Sequence, residues 1–218
     1  MVETTPIEQY PALAELGMLR HGFVCRAPGV AVANEKALVI RLLEKVHATA
    51  RESIGAGDRR YITAEQVHGC DVAVVDSNAG SHVSAVDALV TADSAVCIGI
   101  HVADCAPVFF ADPVKNVIGL AHSGRKGTEL GIATHTIETM RERFHCRPED
   151  IVVQIGPCIR PPHYEVDFAA EIRSQVLATG VIRFFDCGAN TGADTARYYS
   201  YRIERGKTGR MLALLALA

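Results

Sequence analysis

Two histidines and one cysteine stand out by type and by surroundings. They are His68 in Gln66-Val67-His68-Gly69, Cys105 in Ala103-Asp104-Cys105-Ala106-Pro107, and His122 in Ala121-His122-Ser123-Gly124. Two imidazoles and one thiolate form a mixed nitrogen and sulfur donor set suited to borderline-soft zinc. Three protein ligands leave the fourth position open for water or substrate, which is the arrangement of catalytic rather than structural sites. The separations of 37 and 17 residues match no local metal motif. Spacing alone therefore leaves a second reading open, in which these are two loop histidines and a buried thiol.

The elements that would position the trio can be read from the hydrophobic pattern. Each of the three residues falls at the end of an expected strand, where a side chain can point out of a sheet. The Val-, Ile- and Phe-rich runs Tyr61–Val67, Val72–Val75, Ala88–Val90, Val96–Val102 and Pro107–Phe110 predict strands. Asp112-Pro113 with Asn116 supplies turn chemistry ahead of Val117–Ala121, which makes a hairpin. An earlier strand is expected over Met18–Cys25. A helix is expected to open at Asn34, with Leu38, Leu42, Leu43 and Val46 at helical spacing, and to close at Gly55 and Gly57. Thr128–Phe144 predicts a helix capped by Thr128, with Leu130, Ala133, Ile137 and Met140 on one face and Arg141 and Arg143 in the last turn. Beyond it come a strand at Ile151–Ile155, a helix from Asp167 to about Ala178, and extended segments at Ile182–Phe185 and Tyr198–Tyr201. The run Met211–Leu217 is too apolar for a free tail and is expected to return as a buried strand. Strands cluster in the middle instead of alternating with helices, which favours an α+β fold with mixed sheets.

Composition limits the partners. The 218 residues show no linker or repeat and are read as a single domain, 1–218. With 49% apolar and 22% charged residues the chain has ample core material. Lys and Arg number 22 against 25 Asp and Glu, without blocks of one sign, so no nucleic-acid surface is expected. The longest apolar runs, Val96–Ile100, Ala106–Ala111 and Leu212–Ala218, are too short to span a membrane. Met1 to Leu16 lacks the basic start and apolar segment of a secretory signal. Seven scattered cysteines without a Cys-x-x-Cys pair fit reduced thiols, and the expected location is cytoplasmic.

Several further blocks occur in one order: Asp87-Ala88-Leu89-Val90-Thr91, His122-Ser123-Gly124 with Gly127-Thr128, Gly156-Pro157-Cys158-Ile159 followed by Tyr164-Glu165-Val166, and Ser200-Tyr201-Arg202 followed by Thr208-Gly209-Arg210-Met211. Together with the three motifs above, the series resembles the laccase-domain family, also called the multicopper polyphenol oxidase-like or peptidoglycan editing factor family. The resemblance covers about two thirds of the chain, from Tyr61 to the end. The segment His21-Gly22-Phe23 with Arg26 is similar to the family's opening strand. The resemblance implies a four-layer α/β/β/α fold of mixed sheets and a zinc site made by His68, Cys105 and His122. It also implies phosphorolysis of purine nucleosides such as adenosine, inosine or methylthioadenosine, together with adenosine deamination.

Older descriptions of the family imply copper-dependent phenol oxidation instead, with copper as the alternative cofactor. A multicopper oxidase needs many paired histidines, however, and no His-x-His occurs here. A metal-binding protein with a relict site is the reading from another class. For deamination, zinc acidifies a water for attack at C6 of adenine. For phosphorolysis, cations must hold phosphate near the anomeric carbon. Arg26, Arg125, Lys126 and Arg202 are the candidates for substrate binding, with the amides of Gly124 to Thr128 as a further anion site. Asp104, Cys105 and Lys126 are the candidates for catalysis, although Asp104 and Asp87 are equally suited to orienting a ligand or stabilising a turn. Tyr164 and Glu165 read more readily as packing and capping than as pocket, and Cys158 reads as structural. The family's His-Ala-Gly-Trp-Arg-Gly block stands here as His122-Ser123-Gly124-Arg125-Lys126-Gly127, and Ile203 replaces a second arginine. The first change implies a wetter and more cationic pocket.

Overall fold

The computed structural model describes residues 5–218. Its strands are β1 (Ile7–Glu8), β2 (Leu19–Val24), β3 (Arg60–Ala64), β4 (Val72–Val74), β5 (His82–Val83), β6 (Ala88–Thr91), β7 (Val96–Val102), β8 (Ala106–Asp112), β9 (Val117–Ser123), β10 (Val152–Ile155), β11 (Arg183–Asp186) and β12 (Met211–Leu217). Its helices are α1 (Pro11–Ala14), α2 (Lys36–Ser53), α3 (Arg125–Glu129), α4 (Ile132–Phe144) and α5 (Phe168–Ala178). The strands form two six-stranded sheets, ordered β1-β2-β12-β7-β3-β5 and β11-β10-β8-β9-β6-β4. Both sheets are mixed: β7, β3 and β5 run parallel in the first, as do β10 with β11 and β4 with β6 in the second, while the remaining pairs are antiparallel.

Alternation along the strands sorts side chains into three apolar layers. Met211, Ala213 and Leu215 of β12 and Ile98 and Ile100 of β7 face Leu89, Phe109, Ile118 and Leu120 of the second sheet, forming the core between the sheets. Leu212, Leu214 and Ala216 point the other way, onto Ala50, Ile54 and Ala56 at the end of α2. On the far side, Val90, Val108, Phe110 and Val153 pack against Ile132, Ile137 and Met140 of α4 and Phe168, Ile172 and Val176 of α5. The result is a four-layer α/β/β/α arrangement. Strands covered on both faces carry apolar residues at nearly every position, which is why β7, β8, β9 and β12 read as unbroken hydrophobic runs. Among the described residues no helix is long and apolar enough to cross a membrane.

Three local expectations are corrected. The helix expected over Thr128–Phe144 is two helices, because Gly131 adopts φ 78° and breaks the run. Thr128 lies inside α3, bonding Gly124 O and Ser123 Oγ, and caps nothing; Leu130 is exposed, whereas Ala133, Ile137 and Met140 are buried. Helix α2 buries Val39, Leu43, His47 and Ala50, a stripe rotated by about one position from the expected one, so Leu42 is exposed. Tyr198 and Tyr199 are buried but belong to a loop instead of an extended strand.

Candidate functional site

His68, Cys105 and His122 converge at one end of the second sheet. The β8/β9 register pairs Pro107 with His122, which sets Cys105, just ahead of β8, beside the end of β9. The β6/β9 register pairs Ala88 with Ala121, so Asp87 also arrives there, and its carbonyl accepts the His122 N–H at 2.7 Å. His68 comes from the segment that crosses from β3 in the first sheet to β4 in the second. The ligand atoms of the trio all lie within 4.8 Å of one another, and the two imidazoles meet edge to face at 4.8 Å between centroids.

Two buried aspartates hold this geometry. Asp87 accepts the backbone N–H groups of Val67, His68 and Gly69 at 3.1, 3.0 and 2.7 Å, which stabilises the left-handed backbone of His68 (φ 60°). The same carboxylate accepts from His122 Nδ1 at 2.8 Å, so Nε2 is the nitrogen left to face the trio. Burial works against ionisation of Asp87, but the bonds from His122 and the Gly69 N–H overcome it and hold the carboxyl below its usual value. Asp104, itself left-handed at φ 79°, accepts from Thr191 Oγ1 at 2.6 Å, Ser200 Oγ at 3.0 Å and the Arg202 N–H at 2.7 Å. Asp104 thus ties the loops around Thr191 and Ser200 to the strand end that presents Cys105.

Burial alone would push the Cys105 thiol up; the adjoining His122 and His68 outweigh it and lower the pKa. Burial would likewise depress His122, whereas Cys105 and Asp87 raise it. A thiol held as thiolate between two imidazoles is the protonation state a divalent cation requires. Gly124 is also part of the fit, since a Cβ there would stand 2.5 Å from Cys105 Sγ. The donor set and its spacing therefore suit a metal ion held by His68, Cys105 and His122.

The trio lies in a cleft of about 1100 Å³, just above the usual range of small-molecule sites. Arg125, Lys126 and Arg202 line it, with Asp104 and Cys105. Arg125 pairs with Glu129 at 3.0 Å and approaches Glu165 at 3.7 Å, and Arg202 pairs with Glu165 at 3.0 Å. Arg26 does not line the cleft. Its guanidinium pairs with Glu204 at 2.7 Å and stacks 4.3 Å above Tyr199, where it anchors the loop before β12. Tyr164 lines the cleft beside Phe168 and Ile159, so the Tyr-Glu pair at 164–165 belongs to the cleft wall and mouth, and Asp167 is the residue that caps α5. Cys158 is fully buried, and its thiol is pushed up by burial. Sequence reasoning missed Lys36 and His101, which also line the cleft, and assigned no role to Arg210. His101 reads as one more position in a buried strand, and Lys36 reads as a solvated helix start.

Comparison with known proteins identifies the family. The family model described as multi-copper polyphenol oxidoreductase laccase matches residues 29–176 and 166–218. A protein of Deinococcus radiodurans named purine nucleoside phosphorylase is 34% identical, covering 97% of this chain and 93% of its own. Purine nucleoside phosphorylase YlmD of Geobacillus stearothermophilus is 34% identical over 72% of each chain. The crystal structure of YlmD from the same organism superposes with a TM-score of 0.85, covering 98% of this chain and 99% of that one at 26% identity. Sequence match and fold agree, and the chain belongs to the laccase-domain family.

Proposed function

We propose that the chain is a zinc-dependent purine nucleoside phosphorylase acting on adenosine, inosine or methylthioadenosine. The observation that carries this reading is the convergence of His68, Cys105 and His122 within a cleft large enough for a nucleoside and lined by several cations. The names of the relatives support the same reaction class. Zinc bound there supplies Lewis acidity at the polar end of the substrate.

The remaining steps belong to the side chains of the chain. Tyr164, Phe168 and Ile159 offer an apolar and aromatic wall for the purine, and the Arg202 guanidinium, 5.3 Å above the Tyr164 ring, stiffens it. Glu165 bridges Arg125 and Arg202, closing the mouth with a fixed charge network. In phosphorolysis a phosphate oxygen bonds to C1′ of the sugar while the bond from C1′ to N9 breaks. The electron pair leaves on the purine, which takes up a proton. Lys126, without an ion-pair partner among the described residues, is assigned to donate that proton.

Adenosine deamination would need a free carboxylate to shuttle a proton. Of the carboxylates lining the cleft, Asp104 is filled by three donors and Glu129 is paired with Arg125, so phosphorolysis is the better supported reaction. Phenol oxidation by several coppers has less support. The trio is the one cluster of at least three close metal donors among the described residues, and no methionine lines the cleft as an axial ligand. Seven free cysteines support a reducing, cytoplasmic setting.

Incubation with each nucleoside, with and without phosphate, tests the proposal. The expected products are free purine and pentose 1-phosphate, formed only when phosphate is present. Inosine formed from adenosine would identify deamination, and no change in any mixture would leave a relict site.

A further inference from the structure

We infer that the phosphate co-substrate is held by Lys36, His101 and Arg210, on the cleft wall built from the first sheet and the start of α2, and not by the arginines at the mouth. This rests on the phosphorylase reading above.

The cations near the cleft divide by how they are partnered. Arg125 and Arg202 sit at the mouth, are at least half exposed, and are already matched by Glu129 and Glu165. Lys36 and Arg210 line the cleft, are half-buried, and make no ion pair with any described residue. The Arg210 side chain makes one hydrogen bond among the described residues, from Nη1 to Gly209 O at 2.8 Å, so most of its donors are unused. Burial lowers both cations from their ordinary values, with Arg210 adding to the effect on Lys36, and the more distant pulls of Asp87, Cys105 and Asp104 do not offset it. An anion between them reverses that cost.

His101 is a second, independent pointer. It lies on β7 with 7% of its surface exposed, faces the cleft, and its ring has no hydrogen-bond partner among the described residues. The side chain of Gln66 brackets its backbone, accepting the His101 N–H and donating to the His101 carbonyl, which fixes the strand from which the ring projects. A buried imidazole kept neutral can still donate one N–H to an oxyanion. Lys36 is also the first residue of the 18-residue helix α2, whose N-cap Glu35 gives no side-chain hydrogen bond to the first turn. The positive end of that helix adds to the same field. Lys36, His101 and Arg210 line the same cleft as His68, Cys105 and His122, so an anion held here shares one cavity with the metal ligands. Free phosphate and the 5′-phosphate of a nucleotide share this chemistry; attack on C1′ requires the former.

Calorimetric titration of the metal-loaded protein with inorganic phosphate and, separately, with adenosine 5′-monophosphate tests the assignment. The expected result is saturable phosphate binding, weakened about tenfold or more in Lys36→Gln and in Arg210→Gln, as loss of a charge-assisted bond predicts, and nearly unchanged in Arg125→Gln. Arg210→Lys should recover part of the loss, and melting curves check that each variant folds. Wild-type phosphate affinity in both Lys36→Gln and Arg210→Gln, or loss in Arg125→Gln alone, overturns the subsite. So does a site that takes the nucleotide but not inorganic phosphate. Phosphate-dependent purine release by the wild type separates the two failures. Release with an unchanged phosphate KM in Lys36→Gln and Arg210→Gln sinks the subsite and leaves the phosphorylase standing. No release by the wild type sinks both.

Discussion

Gly124→Ala isolates the metal site from the rest of the fold. The backbone at Gly124 has φ −90° and ψ −176°, an extended conformation open to any residue, so the substitution brings no backbone strain. What it brings is a methyl group whose carbon would stand 2.5 Å from Cys105 Sγ, 3.5 Å from Cys105 Cβ and 3.6 Å from His68 Cδ2. Comfortable contact lies near 3.5 to 4 Å, so the sulfur must withdraw by about 1 Å. Metal–ligand distances tolerate only about 0.2 Å, which a shift of that size exceeds several-fold. The thiolate is then lost as an effective ligand, and metal affinity should fall by about a hundredfold or more, the upper end of what disturbed ligand geometry costs. The metal-free protein should lose only about 1–3 kcal/mol, the usual cost of overpacking. Competition against a chromophoric chelator measures the first quantity, and urea unfolding of the metal-free protein the second. Gly80→Ala, at an exposed position where the new carbon meets only ordinary contact at 3.6 Å, is the comparison. Unchanged metal affinity in Gly124→Ala would refute the reasoning.

Other perturbations reach different parts of the account. Asp87→Asn leaves the N–H groups of Val67, His68 and Gly69 facing an amide and releases His122 Nδ1 from its carboxylate. Metal affinity should drop about 10- to 100-fold, and equilibrium dialysis that finds no drop would contradict the orienting role. Burial holds both His21 and His47 neutral, lowering each to about 4. Because the folded values lie below the unfolded one, this stability is present above pH 6.5 and is lost as pH falls toward 4. His47 alone accounts for about 3 kcal/mol at the acid end. Urea unfolding at stepped pH should show the loss, His47→Phe should flatten it, and a profile level from pH 7 to 4 would count against it. Phe109→Ala, between the sheets, should cost about 3–5 kcal/mol in chemical denaturation without altering the metal ligands. Tyr164→Ala removes the aromatic wall and should raise the nucleoside KM with less effect on kcat; an unaltered KM would exclude stacking there.

The apolar strands were legible because both their faces are covered: a run such as Met211–Leu217 is buried at every position, and it sits at the centre of the first sheet. The strands flanking Cys105 and His122 were legible too, whereas β3 stops at Ala64, short of the expected Val67, and leaves His68 in the crossing to β4; convergence depends on the register Pro107 to His122, which spacing does not encode. Helix details were less so. The apolar period runs through Gly131, yet that residue's left-handed backbone splits the helix. The buried stripe of α2 was misread because one of its members is His47, a polar letter in an apolar place. Arg26 looked like a phosphate ligand by type, but Glu204, 178 positions further along the chain, claims it. Lys36, His101 and Arg210 come to one cleft only through tertiary folding, so no local pattern marks Lys36 or His101, and the block Thr208-Gly209-Arg210-Met211 marks Arg210 without showing its role.

The central claim is that two imidazoles and one thiolate, one from the crossing between the sheets and two from neighbouring strand ends, share a single ion. X-ray absorption at the metal edge of the zinc-loaded protein measures this directly. The account predicts one ion per chain with two nitrogen neighbours near 2.0 Å and one sulfur near 2.3 Å, the sulfur vanishing in Cys105→Ser. A spectrum without sulfur in the wild type, or one unchanged in Cys105→Ser, would contradict it.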